Sequence, residues 1–467
     1  MGQILGRFLL PHPPVALPEI GKEQREKISK TTEGFRRATQ RIADLRPETI
    51  IVITPHGPCF DDHFYMPSPQ RISGDFSAFG VKKVLMGFDN DTELVQIIHR
   101  KAAEKKLSAG TVDDRTMKQN GISYDLDHGV LVPLYFVLSE YRDFKLVPVS
   151  LSGLSGKEHY LFGMALRDAV REYDKDVIII ASGDLSHKVS EESPYRFDES
   201  GPVFDKTVRK LLLDEDVRGF LTFDPELKEK AAQCGLDSYR ILLGTLDGFD
   251  FFTNIHSYEA PFGIGYLTAE ITAGKPRESA FFRYLAEEKE ILKKRMEQES
   301  EPVKLARAAA EEYLQSGKEM AVPESTPAFL KKNRGGVFVC FKQDGRLRGC
   351  IGTTSPTCPG LAMEIIANAG AAAARDPRFS PILLEELDEM TITVDILEKP
   401  EEIQELSQLN PKKYGIIVEN RGRSAVLLPD LDGIDTVEEQ IRAAREKAGI
   451  HPWHKLNIKR FSVTRYQ

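Results

Sequence analysis

The chain has 467 residues, the length of two or three domains. It carries 63 Lys and Arg residues against 71 Asp and Glu residues, and the resulting formal net charge of −8 disfavours a globally basic nucleic-acid-binding protein. Hydrophobic residues make up 41% and charged residues 29%, which is typical of a globular protein with a buried core and excludes wholesale disorder.

No apolar run approaches the roughly 18 residues that a bilayer-spanning helix needs. Five cysteines, an odd number without a CxxC pair, make a disulfide framework unlikely and fit a reducing compartment. We therefore expect a cytoplasmic protein that has no membrane span and binds no nucleic acid.

Short apolar runs alternate with helical patterns over the first part of the chain. Strands are predicted over 48–56, 144–153 and 176–187, and helices over 92–106, 129–141 and 157–173. Because this alternation is typical of sheets covered on both faces, we predict an α/β domain with a mostly parallel central sheet flanked by helices.

The composition changes after about Ala273. The segment 277–303 is dense in charge and lacks glycine, so it predicts a connecting helix. A helical pattern and a strand–turn–strand pattern follow, with Asp344-Gly345 as the hairpin signal. The predicted organisation is an α/β domain over 1–275, a helical linker over 276–303 and an α+β domain over 304–467.

Four histidines lie where an apolar strand or helix meets a polar loop. His12 follows a short apolar run, His56 and His187 follow predicted strands, and His128 precedes a predicted helix. Ligands of open α/β sheets bind at the carboxyl ends of strands, so these side chains could converge. Glu259 stands in an aromatic, glycine-rich stretch with few charges, and a buried carboxylate needs a partner such as a metal.

Each histidine also has a purely structural interpretation. His63, His99 and His159 are expected in polar loops or on helix surfaces, and His256 is treated as structural because residues three apart on a strand face opposite ways. Two histidines and one carboxylate, however, form the facial triad that leaves open positions on non-haem Fe(II). Further histidines beside such a metal could transfer protons.

Five ordered motifs, LPHPP, TPHGP, LDHG, SGDLSH and SYEAPFG, resemble the class III extradiol ring-cleaving dioxygenases of the LigB type, whose fold the Memo proteins share. The resemblance covers about 1–273. It implies that His12, His56 and Glu259 bind Fe(II), or alternatively zinc. It also implies that His187 is the general acid/base and that His128 positions the substrate or oxygen derived from O2. The implied substrate is a small aromatic, catechol-like or enediol molecule.

Cys234 falls at a CG motif that is also seen in Memo-like proteins. Two interpretations stay open: the thiol approaches the pocket, or it is a small buried thiol before a helix.

The second part of the chain contains LRGCIGT (347–353), AAAARDPRFSPI (371–382) and YGIIVENRGRSAVLLPDL (414–431). These motifs resemble the AMMECR domain, also called AmmeMemoRadiSam system protein A, over about 304–467. The fused arrangement is similar to systems associated with a radical-SAM protein, which implies such a partner. Cys350, after Arg348 and Gly349, is interpreted either as a reactive thiol or as a buried strand cysteine. The spacing of Cys340 and Cys358 from it fits no familiar zinc site.

Three hypotheses about function follow. The first is a metal-dependent oxidoreductase that resembles extradiol dioxygenases. The second keeps the metal but does not use O2. The third is a metal-binding scaffold whose AMMECR domain docks a radical-SAM partner. The substrate, the native metal, the role of the AMMECR domain and the oligomeric state stay open among them.

Overall fold

The computed structural model describes residues 2–343, 345–431 and 433–467. The chain forms two compact units, one that runs up to Leu285 and one that comprises Ala286–Gln467. Within the described ranges, none of the helices combines the length and the apolar character that crossing a membrane requires.

The first unit contains both strands and helices in alternation. Its strands are β1 (Ile4–Leu10), β2 (Thr49–Thr54), β3 (Phe64–Tyr65), β4 (Arg71–Phe76), β5 (Val81–Asp89), β6 (Ala109–Gly110), β7 (Lys145–Ser150), β8 (Val177–Ser182), β9 (Phe249–Glu259) and β10 (Tyr266–Pro276). Its helices are α1 (Pro18–Gly21), α2 (Ser29–Leu45), α3 (Thr92–Glu104), α4 (Asp114–Gln119), α5 (His128–Glu140), α6 (Gly156–Tyr173), α7 (Ser200–Leu213), α8 (Val217–Leu221), α9 (Pro225–Lys230) and α10 (Leu236–Gly244).

A six-stranded sheet in the order β7-β2-β8-β1-β10-β9 forms the centre of this unit. The neighbours β7, β2, β8 and β1 run parallel, whereas β10 pairs antiparallel with both β1 and β9. The predicted α/β fold with a mostly parallel sheet is thereby confirmed.

Both faces of the sheet are buried, as β8 illustrates. Val177, Ile179 and Ala181 pack into one hydrophobic cluster with residues of α6 and α10, while Ile178 and Ile180 pack into a second with residues of α2 and α5. Each fully buried Ile side chain stabilises the fold by roughly 1.5–3 kcal/mol. Two-sided burial explains why the parallel strands are almost continuously apolar in the sequence.

The second unit is built from antiparallel sheets and helices. Its strands are β11 (Val337–Gln343), β12 (Arg346–Gly352), β13 (Thr391–Leu397), β14 (Glu401–Glu402), β15 (Gly415–Asn420), β16 (Arg423–Leu427), β17 (Asn457–Phe461) and β18 (Val463–Tyr466). Its helices are α12 (Glu301–Ser316), α13 (Ala328–Lys332), α14 (Leu361–Ala374), α15 (Leu384–Leu387) and α16 (Val437–Ala448). The preceding helix, α11 (Ala280–Gln298), occupies much of the segment predicted as a linker, and the boundary between the units falls within it.

Two four-stranded antiparallel sheets, β12-β11-β13-β18 and β14-β17-β15-β16, organise this unit. Helices α12 and α14 share a core with the first sheet, and α16 shares one with the second. The α+β class predicted for this region is therefore confirmed. In the predicted hairpin turn, Asp344 lies outside the described residues, while Gly345 has φ +77°, the left-handed region that favours glycine.

Candidate metal centre

The carboxyl ends of three neighbouring parallel strands bring the candidate residues together. His12 comes two residues after β1, His56 two residues after β2, and His187 five residues after β8. His128 is the first residue of α5, and this helix start is fixed to the end of β2 because Thr54 Oγ1 donates to Asp127 Oδ1 over 2.6 Å. Ligand binding at this edge is the general behaviour of open α/β sheets.

His12 lies at the middle of the cluster and is only 2% exposed. Its Nδ1 lies 2.9 Å from Ser182 Oγ, and its backbone N–H donates to Asp184 Oδ1 over 2.9 Å. These contacts fix the ring so that Nε2 is directed at the other side chains. Nε2 lies 3.0 Å from His56 Nε2, 3.5 Å from Cys234 Sγ and 3.8 Å from Asp184 Oδ2.

The rings of His56 and His128 stack beside His12. Their centroids are 4.3 Å apart at an interplanar angle of 23°, and His12 meets both rings edge-on at 4.8 and 5.2 Å. The ligand atoms of these three histidines all lie within 4.8 Å of one another, and they are the three-residue group in the described part of the chain that could hold a metal ion.

Cys234 closes the other side of the cluster. Its Sγ lies 3.7 Å from His187 Nε2 in addition to its approach to His12. The backbone N–H of Asp184 donates to Sγ over 3.3 Å, which directs the sulfur towards the strand end. This loop approaches closely because Gly183 and Gly235 lack side chains: a Cβ on Gly183 would lie 2.2 Å from the Cα of Gly235.

The electrostatics of the cluster favour neutral imidazoles. Burial, followed by neighbouring imidazoles, lowers the pKa of His12 well below its usual value, and burial likewise lowers the pKa of His56. The pKa of His128 and that of His187 are each lowered to about 4, again chiefly by burial. Neutral imidazole is the form that binds a metal, so the side chains are in the required state near pH 7.

The donor types of the cluster, imidazole nitrogen and thiol sulfur, fit a divalent metal. Nitrogen ligands at about 2.0–2.1 Å and a sulfur ligand at about 2.3 Å from a tetrahedral ion lie roughly 3.3–3.7 Å from one another. The separations from His12 Nε2 to His56 Nε2 and to Cys234 Sγ, 3.0 and 3.5 Å, are close to those values. Burial raises the pKa of the Cys234 thiol well above its usual value, and metal binding would displace its proton.

Glu259 bonds the start of α2 through one of its two carboxylate oxygens. It ends β9, and its Oε1 accepts hydrogen bonds from the backbone N–H and the Oγ1 of Thr31 over 2.6 and 2.7 Å. Thr31 lies in the first turn of α2, where backbone N–H groups lack partners within the helix. The carboxylate therefore caps α2 from outside the helix, and it is not one of the three clustered ligand residues.

Two exposed aromatic rings border the site on separate loops. Phe79, at the end of the turn Ser77–Phe79, is 39% exposed and meets His128 edge-on at 5.2 Å. Tyr195, in the loop after β8, is 54% exposed, and its ring centroid lies 5.1 Å from that of His187. Both rings face solvent on one side and a site histidine on the other.

The structure also contains site residues that the sequence did not single out. Ser182 ends β8 and Asp184 follows it, both in the same SGDLSH motif as His187, so the motif itself carried the signal. For Phe79 and Tyr195 the sequence carries no comparable signal. One structural histidine was misplaced: His159, expected at a surface, is fully buried, with its ring 5.0 Å from that of Phe64.

Comparison with known proteins divides the chain in the same way. Residues 6–269 match the family described as the catalytic LigB subunit of aromatic ring-opening dioxygenase, and residues 303–467 match the AMMECR1 family. Protein CA_C1420 of Clostridium acetobutylicum is 37% identical over 463 residues, 99% of both chains. A protein of Thermotoga maritima is 52% identical over 167 residues, 35% of this chain and 96% of its own.

Two solved structures are also similar. The uncharacterized protein PH0010 from Pyrococcus horikoshii is 35% identical, with a TM-score of 0.33, and the match covers 35% of this chain and 88% of that one. The uncharacterized protein JW3007 from Escherichia coli is 15% identical, with a TM-score of 0.40, over 57% of this chain and 100% of that one. The Clostridium relative, by contrast, matches across both units.

Proposed function

Since this chain belongs to the LigB family and carries an AMMECR1 domain after its LigB domain, we propose that it is a cytoplasmic metal-dependent oxidoreductase. Like the extradiol ring-cleaving dioxygenases, it would act on a small catechol-like or enediol substrate. The observation that carries the proposal is the convergence of His12, His56 and their neighbours at the carboxyl edge of the sheet.

We assign His12 and His56 as metal ligands, with Glu259 and Cys234 as the two candidates for the third ligand. Cys234 Sγ lies 3.5 Å from His12 Nε2 but is outside the group of ligand atoms within 4.8 Å of one another, and Glu259 bonds Thr31 through only one carboxylate oxygen, Oε1. The bound ion is Fe(II), with zinc as the alternative, since imidazole and thiolate ligands suit both metals. When bound, the ion supplies a positive centre that two adjacent substrate oxygens can approach.

The side chains around the ligands have separate tasks. His187, a neutral imidazole beside Cys234, accepts the proton that a substrate hydroxyl releases. His128 stacks on His56 and presents a second imidazole to the substrate. Phe79 and Tyr195 hold a planar substrate through ring contacts, because each ring leaves one side free beside a site histidine.

The test uses protein prepared without oxygen, in which bound metal and O2 uptake with catechol are both measured. We expect His12→Ala to lose the metal and the O2 uptake. His63→Ala is the matched control, because the ring of His63 bonds Ser108 and Gly110 rather than the cluster, and it should retain both. Wild-type metal content in His12→Ala would refute the proposal.

Cys234 also favours a second candidate function, an O2-independent metal enzyme. A thiolate together with imidazoles is a common zinc donor set, in which the ion polarises a carbonyl or activates water. Zinc in the anaerobically prepared protein, together with turnover that is equal with and without O2, would support this function over the first. Metal binding without turnover of phenols, together with a stable complex with a radical-SAM protein, would instead support a metal-binding scaffold.

A further inference from the structure

The second unit contains a pair of cysteines that the sequence did not predict to be bonded. A disulfide joins Cys340 on β11 to Cys350 on β12. The two residues are direct partners in the antiparallel register, and their Cα atoms are 4.1 Å apart. This close approach is typical of residue pairs that do not hydrogen-bond to each other, in which both backbone groups point away from the partner strand.

An ion pair occupies the outward backbone groups of Cys350. Since β12 is an edge strand, these groups would otherwise lack a strand partner. The N–H of Cys350 donates to Asp376 Oδ2 over 2.9 Å, and its carbonyl accepts from Arg378 Nη2 over 3.0 Å. Arg378 in turn donates to both carboxylate oxygens of Asp376 over 2.9 and 2.7 Å. The Asp376–Arg378 pair thus holds Cys350 opposite Cys340.

The two sulfur-bearing residues differ in accessibility. Cys340 is 9% exposed, while Cys350 is only partly buried. Cys350 is therefore the more accessible residue of the pair. Arg378 bonds the Cys350 carbonyl while Asp376 compensates its charge, so the ion pair positions Cys350 without adding a net charge beside it.

We propose that Cys340 and Cys350 form a reversible thiol–disulfide exchange site of the AMMECR1 domain, and that its reaction partner is an external dithiol. One thiolate of the partner attacks Cys350 Sγ, the Cys340–Cys350 bond breaks, and Cys340 leaves as a thiolate. The partner's second thiolate then attacks the partner's own sulfur in the mixed disulfide and releases Cys350. The Cys340–Cys350 pair gains two electrons and becomes two thiols, and the two protons come from the partner. The partner dithiol is oxidised to a disulfide.

The proposal is tested on the full chain in buffers of reduced and oxidised dithiothreitol at defined ratios. The native protein is equilibrated in each buffer and quenched with acid, and free thiols are then alkylated in denaturant and counted by mass spectrometry, so that the buried Cys340 also reacts. The chain has five cysteines, of which Cys59, Cys234 and Cys358 are free beside the disulfide. We expect the wild type to change by two alkyl groups between the extremes, as judged by peptide mapping of Cys340 and Cys350.

Matched variants identify the pair. Cys350→Ser should show no such change at any ratio, whereas Cys358→Ser, a substitution in the same unit outside the pair, should still change by two groups. A wild-type pair that stays oxidised in excess reduced dithiothreitol would show an inert structural disulfide and overturn the proposal. A pair that never oxidises, or the same two-group change in Cys350→Ser, would also overturn it.

The role of the Asp376–Arg378 ion pair in positioning Cys350 is tested by measuring the redox midpoint of the Cys340–Cys350 disulfide. Asp376→Asn removes the charge that holds Arg378 and the Cys350 N–H, so the oxidised form should lose relative stability. We expect the dithiothreitol ratio at half oxidation to shift by about three- to tenfold, the size of one hydrogen bond. Arg378→Lys, which cannot bond both carboxylate oxygens in the same way, should shift it in the same direction. An unchanged midpoint in both variants would refute this positioning role.

Discussion

At the residue scale, His12 organises the candidate metal centre because its Nδ1 is fixed and its Nε2 lies close to several neighbours. The identity of the third ligand determines whether the centre is a facial triad of two histidines and a carboxylate or a site with a thiolate ligand. We expect Cys234→Ser to weaken metal binding by at least about tenfold, a loss that even residues behind the ligands can cause. Competition with a chelator measures the affinity.

Glu259→Gln is the comparison variant for this measurement. The amide oxygen of Gln can still accept the Thr31 hydrogen bonds, so α2 should stay capped and metal affinity should stay near the wild-type value. The reverse result, with metal lost in Glu259→Gln and retained in Cys234→Ser, would establish Glu259 as the third ligand, as the sequence predicts.

The exposed rings beside the histidines give a second prediction at this scale. Phe79→Leu and Tyr195→Leu should each raise KM for catechol by about three- to tenfold, since an aromatic pair contributes about 0.5–1.5 kcal/mol. The effect on kcat should be smaller, and bound metal should not change. Phe197→Leu is the matched control, because Phe197 is similarly exposed, at 41%, on the same loop. Equal KM values in all three variants would contradict a substrate contact.

At the scale of elements, the sequence predicted the parallel strands and the histidines at their ends because both are local patterns. The runs that became β2 and β8 are mostly apolar, and His56 and His187 follow them after two and five residues. Cys234 could not be assigned in this way, because it lies between α9 and α10 and reaches the site only through the Gly183–Gly235 approach. Such long-range packing leaves no periodic signal.

The partners of Glu259 and the pairing of Cys340 with Cys350 likewise could not be predicted from local sequence patterns. Sequence context indicated that Glu259 needs a partner, but not that the partner is the start of α2. Cys340 and Cys350 are ten residues apart, and only the hairpin register makes them direct neighbours. The sequence therefore indicates which residues need partners, and tertiary packing selects the partners.

One buried acid connects three elements and gives a prediction about pH. Asp205 on α7 is fully buried and accepts from the Ser186 N–H over 2.8 Å and from the Tyr258 hydroxyl over 2.7 Å. Burial raises its pKa to about 7. Below about pH 4, Asp205 is protonated in both the folded and the unfolded state, so it does not change the free energy of unfolding. Because the folded-state pKa lies above the unfolded value, the free energy of unfolding falls as pH rises from about 4 towards 7.

Replacement of this acid should remove that dependence. We expect Asp205→Asn to gain stability relative to the wild type between pH 4.5 and 7.5, by up to roughly 3 kcal/mol on the linkage relation. Urea unfolding at both pH values measures the difference between the two proteins, so that other titrating groups cancel. A difference that is constant with pH, or that changes in the opposite direction, would show that Asp205 is ionised in the fold at an ordinary pKa.

At the scale of the whole molecule, each unit has its own hydrophobic core. The two clusters on either side of the six-stranded sheet belong to the first unit, and separate clusters stabilise the second. Each unit also has its own chemical constraint: the candidate metal centre in the first and the Cys340–Cys350 disulfide in the second. Units with separate cores unfold in separate transitions when neither depends on the other.

Differential scanning calorimetry can therefore assign each constraint to its unit. We expect two unfolding transitions, and a chelator should lower the midpoint temperature of only one of them. If free metal was present at 100 times its Kd, its removal should cost that unit about 2.7 kcal/mol of stability. A reductant should lower only the midpoint temperature of the other transition, because loss of the cross-link gives the unfolded second unit more conformational freedom. His12→Ala should abolish the chelator effect and leave the reductant effect, and Cys350→Ser should do the reverse. If either reagent shifts both transitions, the stabilities of the two units are coupled, and the metal centre and the disulfide cannot be treated as independent.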